Sequence, residues 1–377
     1  RVGLVAQPLN WRLGLEELAR ILADGGPSVA VVSHEYAEYQ PPLATQVPVD
    51  HWLQFGPGAD GSYEALVASA SDNEPGVADS TGGDDPVLIL YTGGTTGHPK
   101  GVMWPHRNLI AITGRSFLTM GIEAPSSTDD IPRAIDAIDA AGLTPRQLAA
   151  SPLMHGTAGI GALGTLYLGG AVVTTPSRRL DSDELWTTVQ EQRCTNVSIV
   201  GDVFCMPMVE ALDARAEAGD AYDLTSVRLV TSSGVMWSQP VKDRLLALAR
   251  AGGSALACFD SLGSSEGVGF AGKQSSSGGD DTETAKFELG PNAAVFTPDG
   301  RRVEPGSDEQ GQLAVGGPIP LGYYGDPVKS AETFREIEGR RWSIPGDWAT
   351  VDFDGTITLL GRGSVSINTG GEKVFPE

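Results

Sequence analysis

The chain is poor in cysteine and in long apolar runs, and each shortage excludes a class of protein. Its three cysteines, Cys194, Cys205 and Cys258, stand at unpaired spacings that give neither a disulfide framework nor a zinc site. We therefore predict a reducing, cytoplasmic setting and interpret each cysteine as a small buried side chain. The longest apolar run, 159–174, contains several glycines and is too short to cross a bilayer.

Positive charge is also scarce, with 26 Lys and Arg against 48 Asp and Glu and a formal net charge of −22. Such a chain offers no basic patch for nucleic acid or for an anionic membrane surface, so we expect neither as a partner. A site for an anionic ligand has to gather its cations locally, and Lys100 and Arg362 are the candidates. The length of 377 residues allows about two or three domains with sizeable cores.

Short aliphatic strands that alternate with helical patterns predict an α/β fold with mostly parallel sheets. The helical patterns lie at 15–22 and 181–192, and the strand patterns lie at 28–32, 197–200, 228–231 and 256–259. Residues 87–90 are four consecutive aliphatic residues, typical of a strand buried on both faces in a parallel sheet. Parallel strands present ligand-binding loops at their carboxyl ends, so we expect the small-residue loops after these strands to meet at one crevice.

The sequence changes in character after residue 297, where turns and short strand patterns replace the helical ones. This change predicts a small β-rich subdomain, a meander or a distorted barrel, over 298–363. We therefore divide the chain into an α/β core over 1–297, this subdomain, and an end segment over 364–377. The chain begins at Arg1 rather than at Met, so we expect the core to be incomplete at its amino end.

The most distinctive stretch is a loop of glycine and threonine that follows the strand at 87–90. Glycine lets successive backbone N–H groups point at one anion, threonine hydroxyls add donors, and Lys100 adds a positive charge. We predict that the loop binds phosphate through Thr92, Gly93, Gly94, Thr95, Thr96, Gly97 and Lys100. A helical pattern over 105–119 places Lys100 shortly before a helix start, where anions are favoured. The alternative is a plain connector between a strand and a helix.

This loop is not one of the common nucleotide loops. A Walker A loop has glycine before its lysine and serine or threonine after it, whereas Pro99 and Gly101 flank Lys100. The dinucleotide fingerprint is absent as well. The loop instead resembles the phosphate loop of the adenylate-forming superfamily, which includes acyl-CoA synthetases, luciferases and peptide-synthetase adenylation domains. That family's pattern is Thr-Ser-Gly-Thr-Thr-Gly-x-Pro-Lys-Gly, and this chain departs from it at Gly93, where serine is usual.

A second stretch, 260–266, resembles the family motif Tyr-Gly-x-Thr-Glu. By itself, a glutamate after a Gly/Ser turn is typical of a solvated loop. The resemblance implies that Glu266 ligates the Mg²⁺ of ATP, and one carboxylate suffices because Mg²⁺ retains waters and binds phosphate oxygens. It also implies that the neighbouring residues face adenine and the α-phosphate, namely Asp260, Ser261, Leu262, Gly263 and Ser265. Leu262 stands where an aromatic ring is usual, and Ser265 keeps the hydroxyl of the usual threonine.

Two further stretches extend the resemblance around the nucleotide. Ser233 and Gly234 follow a strand pattern and are similar to the family's small-residue adenine wall. Asp347 and Arg362 match the residues that hold the ribose and the α-phosphate side in the family. An aspartate suits a diol because its two oxygens accept two hydrogen bonds, and arginine suits it through its rigid charged fork. The alternative is a surface ion pair between Asp347 and Arg362.

His155 lies in a segment similar to the one that lines the acyl channel in the family. A lone histidine is often a structural residue, so this alternative stays open. Residues 361–371 resemble the family's hinge, although Ser364 and Val365 stand where Lys or Asp, and then Asp, are usual. In relatives the hinge leads into a small C-terminal domain that carries a catalytic lysine and part of the CoA tunnel. We expect this chain to lack that domain.

Together the motifs predict an ATP- and Mg²⁺-dependent carboxylic acid:CoA ligase of the fatty or steroid-acid type, working through an acyl-adenylate. The predicted catalytic residues are Lys100, Thr96, Glu266 and His155, and the predicted co-substrate is CoA. Three alternatives stay open: an impaired nucleotide-binding fragment, an amino-acid adenylation domain, and a phosphotransferase or NTPase that releases ADP. Because the acid pocket is built from scattered residues, fatty, aromatic and steroidal acids all stay open.

Overall fold

The computed structural model of the protein describes residues 3–73, 82–92, 99–276 and 286–362, and the backbone of 367–368 and 373–374. The chain forms two compact units. The first comprises Arg1–His106 and Pro320–Ser330, and the second comprises Arg107–Ile319 and Ala331–Glu377. Some residues singled out from the sequence lie outside the described part, namely Gly93, Gly94, Thr95, Thr96, Gly97, Ser364 and Val365.

The described residues contain ten α-helices, and none of these is long and apolar enough to span a bilayer. They are α1 (Leu15–Gly25), α2 (Gln40–Ala44), α3 (Ser62–Ser69), α4 (His106–Thr119), α5 (Ile131–Ala140), α6 (Gly156–Tyr167), α7 (Ser182–Gln192), α8 (Gly201–Glu217), α9 (Gln239–Ala251) and α10 (Pro327–Thr333). Two short 3₁₀ helices cover His34–Tyr39 and Thr128–Asp130. Local sequence sets several ends: the Asp181 carboxylate accepts from the Glu184 N–H at 3.0 Å and caps α7.

Strands make up much of the remaining described chain. They are β1 (Val29–Ser33), β2 (His51–Phe55), β3 (Pro86–Thr92), β4 (Lys100–Pro105), β5 (Arg146–Ala149), β6 (Ala171–Val173), β7 (Asn196–Ile199), β8 (Leu229–Ser233), β9 (Ala257–Ser264), β10 (Gly267–Ser276), β11 (Lys286–Leu289), β12 (Ala293–Phe296), β13 (Gly311–Gly316), β14 (Gly322–Tyr323), β15 (Phe334–Ile337), β16 (Arg340–Ser343), β17 (Asp347–Val351), β18 (Thr356–Arg362), β19 (Ile367–Asn368) and β20 (Lys373–Val374).

The first unit contains two small sheets. β1 and β2 form a parallel pair, and β14, β4 and β3 form a three-stranded sheet in that order. Leu18 and Leu22 of α1 lie one turn apart on its apolar stripe. This stripe contributes to a buried cluster of Leu18, Ala19, Leu22, Leu43 and Val47. The unit therefore has a hydrophobic core of its own.

The glycine–threonine loop joins two antiparallel strands. In the β3–β4 pair, Leu90 lies opposite Val102 and Thr92 lies opposite Lys100. The prediction of a buried strand is confirmed at 88–90, but the parallel sheet predicted around it, and the strand-to-helix alternative, are wrong. Lys100 begins β4 and α4 begins only at His106, so a strand separates this lysine from the helix start. The closely packed β3–β4 contact explains Gly101, where a Cβ would lie 2.7 Å from Ile89 Cγ2.

The second unit is built on a thirteen-stranded sheet. Its parallel part has the order β6-β5-β7-β8-β9. β9 then pairs antiparallel with β10, and the β11–β18 pair continues the sheet into further antiparallel strands. The non-sequential order of β6, β5 and β7 requires crossover connections, which is typical of wound α/β sheets. The predicted α/β fold with an additional β-rich region is confirmed.

The β-rich region has a small core of its own, formed by Ala294, Phe296, Ala314, Ile337, Trp342 and Ile344. The rings of Phe296 and Trp342 meet edge to face, with centroids 5.0 Å apart and an angle of 74° between their planes. This arrangement is favoured because the positive edge of one ring meets the negative face of the other. The boundaries predicted for this region and for the end segment stay a prediction.

Side chains alternate between the two faces of the parallel strands. The core face buries Leu148, Val197, Ile199, Val230 and Cys258 completely, within a large apolar cluster shared with α7, α8 and α9. The other face carries polar side chains, among them Gln147, Asn196, Ser198, Thr231 and Ser233. A two-residue period produces this alternation, so a strand that buries one set presents the other.

All three cysteines are buried and unpaired, as predicted. Burial raises the pKa of the Cys205 thiol to about 12, and it raises the pKa of Cys194 as well. A thiol that stays protonated at neutral pH is a poor nucleophile. These cysteines therefore act as small apolar side chains.

We predict that Gly170, between α6 and β6, is a packing requirement. A Cβ there would lie 2.9 Å from the Thr165 carbonyl oxygen and would overlap the carbonyl oxygen of Pro145, which accepts from the Ala171 N–H at 3.0 Å. Gly170→Ala should therefore lower the free energy of unfolding by about 1–3 kcal/mol in urea denaturation. Gly114→Ala is the control, because a Cβ at Gly114 in α4 meets nothing within 4 Å and alanine favours helix. Equal stability of the two variants would contradict the packing argument.

Candidate functional site

A cavity of about 680 Å³ lies in the second unit along the polar face of the parallel strands. Its lining begins at Asn196 and Leu229, the first residues of β7 and β8, and extends to Ser233 and Gly234 beyond the end of β8. Four residues of extended strand separate Leu229 from Ser233, which corresponds to roughly 13 Å. Helices α4 and α6 supply the rest of the wall, including Thr113 and Gly161. The cavity therefore runs the length of the strands.

The carboxyl-terminal end of this cavity gathers residues singled out from the sequence. The lining there includes His155, Ser233, Gly234, Ser261, Gly263 and Ser265. They come from the start of α6 and from the ends of β8 and β9. The small-residue loops after these parallel strands therefore meet at one crevice, as the sequence indicates. We refer to this end of the cavity as the rim.

Asp260 and Leu262 do not lie among the residues that line the cavity. The Asp260 side chain lies on the core face of β9, where its Oδ2 accepts from Lys242 Nζ of α9 at 3.0 Å. The two side chains are only 9% and 1% exposed. Burial raises the pKa of the Asp260 carboxyl, and Lys242 opposes this by favouring the carboxylate. The structure therefore places Asp260 in a buried ion pair behind the cavity wall.

Glu266 lies in the turn between β9 and β10, directly after the cavity-lining Ser265. It is buried, and its backbone is held on both sides. The Glu266 N–H donates to Ser264 Oγ at 3.2 Å, and the Glu266 carbonyl oxygen accepts from Ser343 Oγ at 2.6 Å. Because Ser343 is itself fully buried in β16, the turn is anchored to the β-rich region.

His155 is the N-cap residue of α6 and lines the cavity rim. Its backbone N–H donates to the Pro152 carbonyl at 3.1 Å, and its carbonyl oxygen accepts from the Gly159 N–H at 2.8 Å. The backbone of His155 is thus structural, while its side chain borders the cavity. The structural and the functional interpretations of this histidine are compatible.

Asp347 and Arg362 face each other across the β17–β18 pair. Arg362 Nε lies 3.3 Å from Asp347 Oδ1, and the two side chains are 49% and 20% exposed. The ion pair considered as an alternative therefore exists. Exposed pairs contribute at most about 1 kcal/mol, so a ligand that binds both groups can compete with this contact.

Lys100 lies in a separate cavity of about 400 Å³ in the first unit. Its Nζ is 5.1 Å from the centroid of the Tyr323 ring, a cation–π distance. Lys329 lines the same cavity, together with Asp24 and Tyr324. Two of the chain's scarce cations thus lie beside the end of β3, where Thr92 begins the predicted phosphate loop.

Tyr91 ties β3 to α1 next to this cavity. Its hydroxyl donates to Asp24 Oδ2 at 2.5 Å. Burial raises the pKa of Tyr91, and the neighbouring Asp24 carboxylate raises it further. Tyr91 therefore remains a neutral hydrogen-bond donor at physiological pH and holds the strand that leads into the loop.

Several of these residues escaped the sequence reasoning. Lys242 was detectable, because it stands on the apolar stripe of α9 with Leu245, Leu246 and Ala249, where a lysine needs a buried partner. Tyr323 lies in β14 and Lys329 lies in α10, both far from Lys100 in the sequence, and no spacing links them to it. Gln147 and Ser198 lie in short strands whose partners only the fold reveals.

The sequence matches a known family over most of its length. Residues 1–324 match the family described as AMP-binding enzyme. The chain belongs to that family. This AMP-binding enzyme is 38% identical over 381 residues to the 3-oxocholest-4-en-26-oate–CoA ligase of Rhodococcus rhodochrous, a match that covers 98% of the chain and 66% of that relative.

A second relative is the medium/long-chain-fatty-acid–CoA/3-oxocholest-4-en-26-oate–CoA ligase of Mycolicibacterium smegmatis. It is 34% identical over 390 residues, covering 100% of the chain and 68% of the relative. The chain thus spans about two thirds of the length of these relatives. The O-succinylbenzoate coenzyme A synthetase of Bacillus subtilis, solved with ATP and magnesium ion, matches 99% of the chain and 67% of its own with a TM-score of 0.73. At 20% identity, this match supports the fold.

The residues of this AMP-binding enzyme fit a magnesium ion that arrives with a nucleotide. Among the described residues, no group of three or more His, Cys, Asp or Glu could hold a metal on its own. Mg²⁺ does not need such a group when phosphate oxygens and waters complete its shell around one or two carboxylates. Glu266, next to the cavity rim, offers one carboxylate in an anchored turn.

We predict that Lys242→Met destabilises the protein through the charge that it leaves behind. The variant keeps the side-chain length but leaves the Asp260 carboxylate buried without its cation, which should cost about 3–5 kcal/mol in urea unfolding. Because the pKa of Asp260 is raised in the folded state, stability linked to its protonation is present at low pH and is lost as pH rises through that pKa. The loss of unfolding free energy in Lys242→Met should therefore become smaller as pH falls below neutral.

The double variant Lys242→Met/Asp260→Asn is the control for this experiment. It removes both partners of the buried pair and should recover most of the lost stability, because neither charge is left without the other. A deficit that is independent of pH and persists in the double variant would point to packing alone.

Proposed function

We propose that this enzyme is an ATP- and Mg²⁺-dependent carboxylic acid:CoA ligase that works through an acyl-adenylate. The observation that carries the proposal is the long cavity of about 680 Å³. Its rim gathers the hydroxyl and glycine residues of the predicted nucleotide site, and its interior continues along the strands. A nucleotide at the rim and an acid in the interior would bring a carboxylate next to the α-phosphorus. The relatives, which are named as CoA ligases, support this reading.

At the rim, backbone and hydroxyl groups would hold the nucleotide. Ser233 and Gly234 would border adenine, and Ser261 and Ser265 offer hydroxyls toward the α-phosphate. Away from the rim, Asp347 would accept from both ribose hydroxyls, with Arg362 beside it. Leu262 does not line the cavity. In this proposal it serves only as the residue of β9 that connects Ser261 and Gly263. Asp260 serves the site indirectly, because its pairing with Lys242 holds β9 in place.

In the first step, a carboxylate oxygen attacks the α-phosphorus, the bond to the bridging oxygen breaks, and pyrophosphate leaves. Both reactants are anions, so alignment and charge neutralisation supply most of the rate. Lys100 and the hydroxyl of Thr96 would neutralise and hold the departing phosphates. Glu266 would hold the Mg²⁺ that arrives with ATP, which would add positive charge beside the phosphate oxygens. His155, at the rim, would orient the carboxylate.

In the second step, the CoA sulfur attacks the carbonyl carbon of the acyl-adenylate, the bond to the AMP oxygen breaks, and AMP leaves. This step yields the thioester. Because the chain spans about two thirds of its relatives, we propose this step for an enzyme of their full length.

We predict acid-dependent exchange of radiolabelled pyrophosphate into ATP, which reports the first step alone. Lys100→Ala and Glu266→Gln should each reduce exchange by at least about 100-fold, because each removes charge neutralisation from the phosphates. Lys286→Ala is the control for loss of a positive charge, since Lys286 forms part-exposed ion pairs with Asp352 and Asp354 in the β-rich region. Calorimetric titration with ATP measures nucleotide binding independently.

The outcomes separate the alternatives. ATP binding without exchange for fatty, aromatic or steroidal acids would favour a nucleotide-binding fragment. Exchange that depends on an amino acid would favour an adenylation domain of the peptide-synthetase type. Release of ADP in place of pyrophosphate would contradict adenylation.

We predict that Asp347→Asn weakens ATP use without weakening the fold. Asparagine keeps one acceptor oxygen, so a ribose diol loses one of its two hydrogen bonds and the KM for ATP should rise by about tenfold. The exposed pair with Arg362 contributes little stability, so the melting temperature should stay within a few degrees. Glu309→Gln, which breaks an exposed pair with Arg301 in the same β-rich region, is the matched control. An unchanged KM would leave Asp347 as a surface ion-pair residue.

A further inference from the structure

A buried polar network lies in the interior of the long cavity. Gln147 Nε2 donates to Ser198 Oγ at 2.6 Å, and Thr165 Oγ1 donates to Gln147 Oε1 at 2.8 Å. Thr231 Oγ1 lies 3.5 Å from Ser198 Oγ and continues the network toward β8. All four residues line the cavity. Gln147, Ser198 and Thr165 are each at most 5% exposed, so this polar set is desolvated.

The network lies far from the rim. Gln147 is level with Asn196 in the β5–β7 pair, and Asn196 is level with Leu229 in the β7–β8 pair. Ser198 is level with Thr231, two residues before Ser233 at the rim, and Leu229 is four residues before it, so the network spans roughly 7 to 13 Å along the strands from the rim. An acid whose carboxylate is at the rim would reach the network with the far part of its chain.

The network retains hydrogen-bonding capacity toward the cavity. A glutamine amide has two N–H donors and an oxygen with two lone pairs, and a serine or threonine hydroxyl both donates and accepts. The two contacts of Gln147 use one N–H and one lone pair. The set can therefore give or accept a further hydrogen bond from a ligand.

Two glycines let helix α6 pack closely against the cavity wall around the network. Gly161 and Gly164 both line the cavity. A Cβ at Gly161 would lie 3.2 Å from Gln147 Nε2, and one at Gly164 would lie 3.3 Å from Thr113 Cγ2. Any larger residue at either position would press on the cavity wall. Glycine at both positions therefore prevents a side chain of α6 from displacing Gln147 or Thr113.

We propose that Gln147, Thr165 and Ser198 form a specificity subsite for an oxygen function, a carbonyl or a hydroxyl, on the acyl chain far from its carboxylate. The proposal rests on the ligase function above and names the class of acid that the cavity prefers. A plain alkyl chain would cover these polar atoms without bonding them, whereas an oxygen at this depth would bond them. A site built to bond a substrate oxygen discriminates strongly against the analogue that lacks it.

The test compares acids in matched pairs. A series of straight-chain acids of increasing length and their ω-hydroxylated counterparts, and one steroidal acid with and without its ring carbonyl, are measured by pyrophosphate exchange and by calorimetric binding. We expect the oxygenated acid of the fitting length to be favoured by about tenfold over its partner. The preference should peak at one chain length, because the network lies at a fixed depth.

Variants assign the preference to the network. Gln147→Met keeps the volume and removes the amide, and Thr165→Val removes one hydroxyl with little change in shape. Each should reduce the oxygenated-to-plain ratio toward one. Thr113→Val is the matched control, because the Thr113 hydroxyl donates to the Ile110 carbonyl of its own helix at 2.9 Å. It should leave the ratio unchanged, whatever it does to each rate.

The outcomes distinguish this subsite from the ligase function itself. Exchange with every acid but no oxygen preference would overturn the subsite and leave the ligase proposal standing. A preference that survives both Gln147→Met and Thr165→Val would overturn the assignment to these residues. If exchange is absent, the ratio of the calorimetric dissociation constants for the plain and the oxygenated acid decides the subsite. If no acid binds at all, both proposals are overturned. If Gln147→Met fails to fold, Thr165→Val carries the test.

Discussion

The two-residue alternation of the parallel strands is the constraint on which the rest of the second unit depends. Burying Val197 and Val230 on the core face leaves Ser198 and Thr231 on the other face, so the core determines the cavity wall. A slip of one residue would turn the polar set toward the core and the apolar set toward the cavity, which strongly specifies the register. The rim, where we propose that the nucleotide binds, and the cavity interior are thus set by one and the same register. Core packing and ligand recognition cannot vary independently here.

The buried pair of Lys242 and Asp260 shows how this wall is held from behind. A pair of apolar residues would stabilise the same contact as well or better, because both charges lose their hydration on burial. A hydrogen-bonded ion pair differs in having one geometry, whereas apolar side chains can slide. Since β9 continues from Asp260 through Ser261 to Ser264, a pair that fixes α9 against this strand also fixes the residues that reach the rim. We interpret the Lys242–Asp260 pair as a positioning element that fixes α9 against β9.

Much of the fold could be predicted because strands 197–200, 228–231 and 256–259 carry their pattern in consecutive residues. The antiparallel pairing of the strand at 87–90 could not be predicted, because a buried antiparallel strand and a buried parallel strand show the same aliphatic run. The deciding residues were those of β4, where Lys100, Gly101 and Pro105 interrupt the apolar pattern. The residues that line the rim lie in short sequence motifs, so the sequence alone was enough to single them out. Gln147, Thr165 and Ser198 come from three elements separated by 18 and 51 positions, so only the folded chain joins them.

The proposed first step brings two anions, ATP and a carboxylate, together in an acidic protein. A protein of formal net charge −22 repels both ATP and a carboxylate at long range, so neutralisation has to be local. Lys242 is buried in its pair and unavailable, and Arg362 already faces Asp347. Lys100 and Lys329 line one cavity of the first unit together with Asp24 and Asp326, so these two lysines alone would not balance a triphosphate. In the proposed reaction, backbone N–H groups, hydroxyls and the Mg²⁺ that accompanies ATP would supply the rest. The single carboxylate of Glu266 is consistent with that role, since a richer acidic cluster would add to the repulsion that the metal has to overcome.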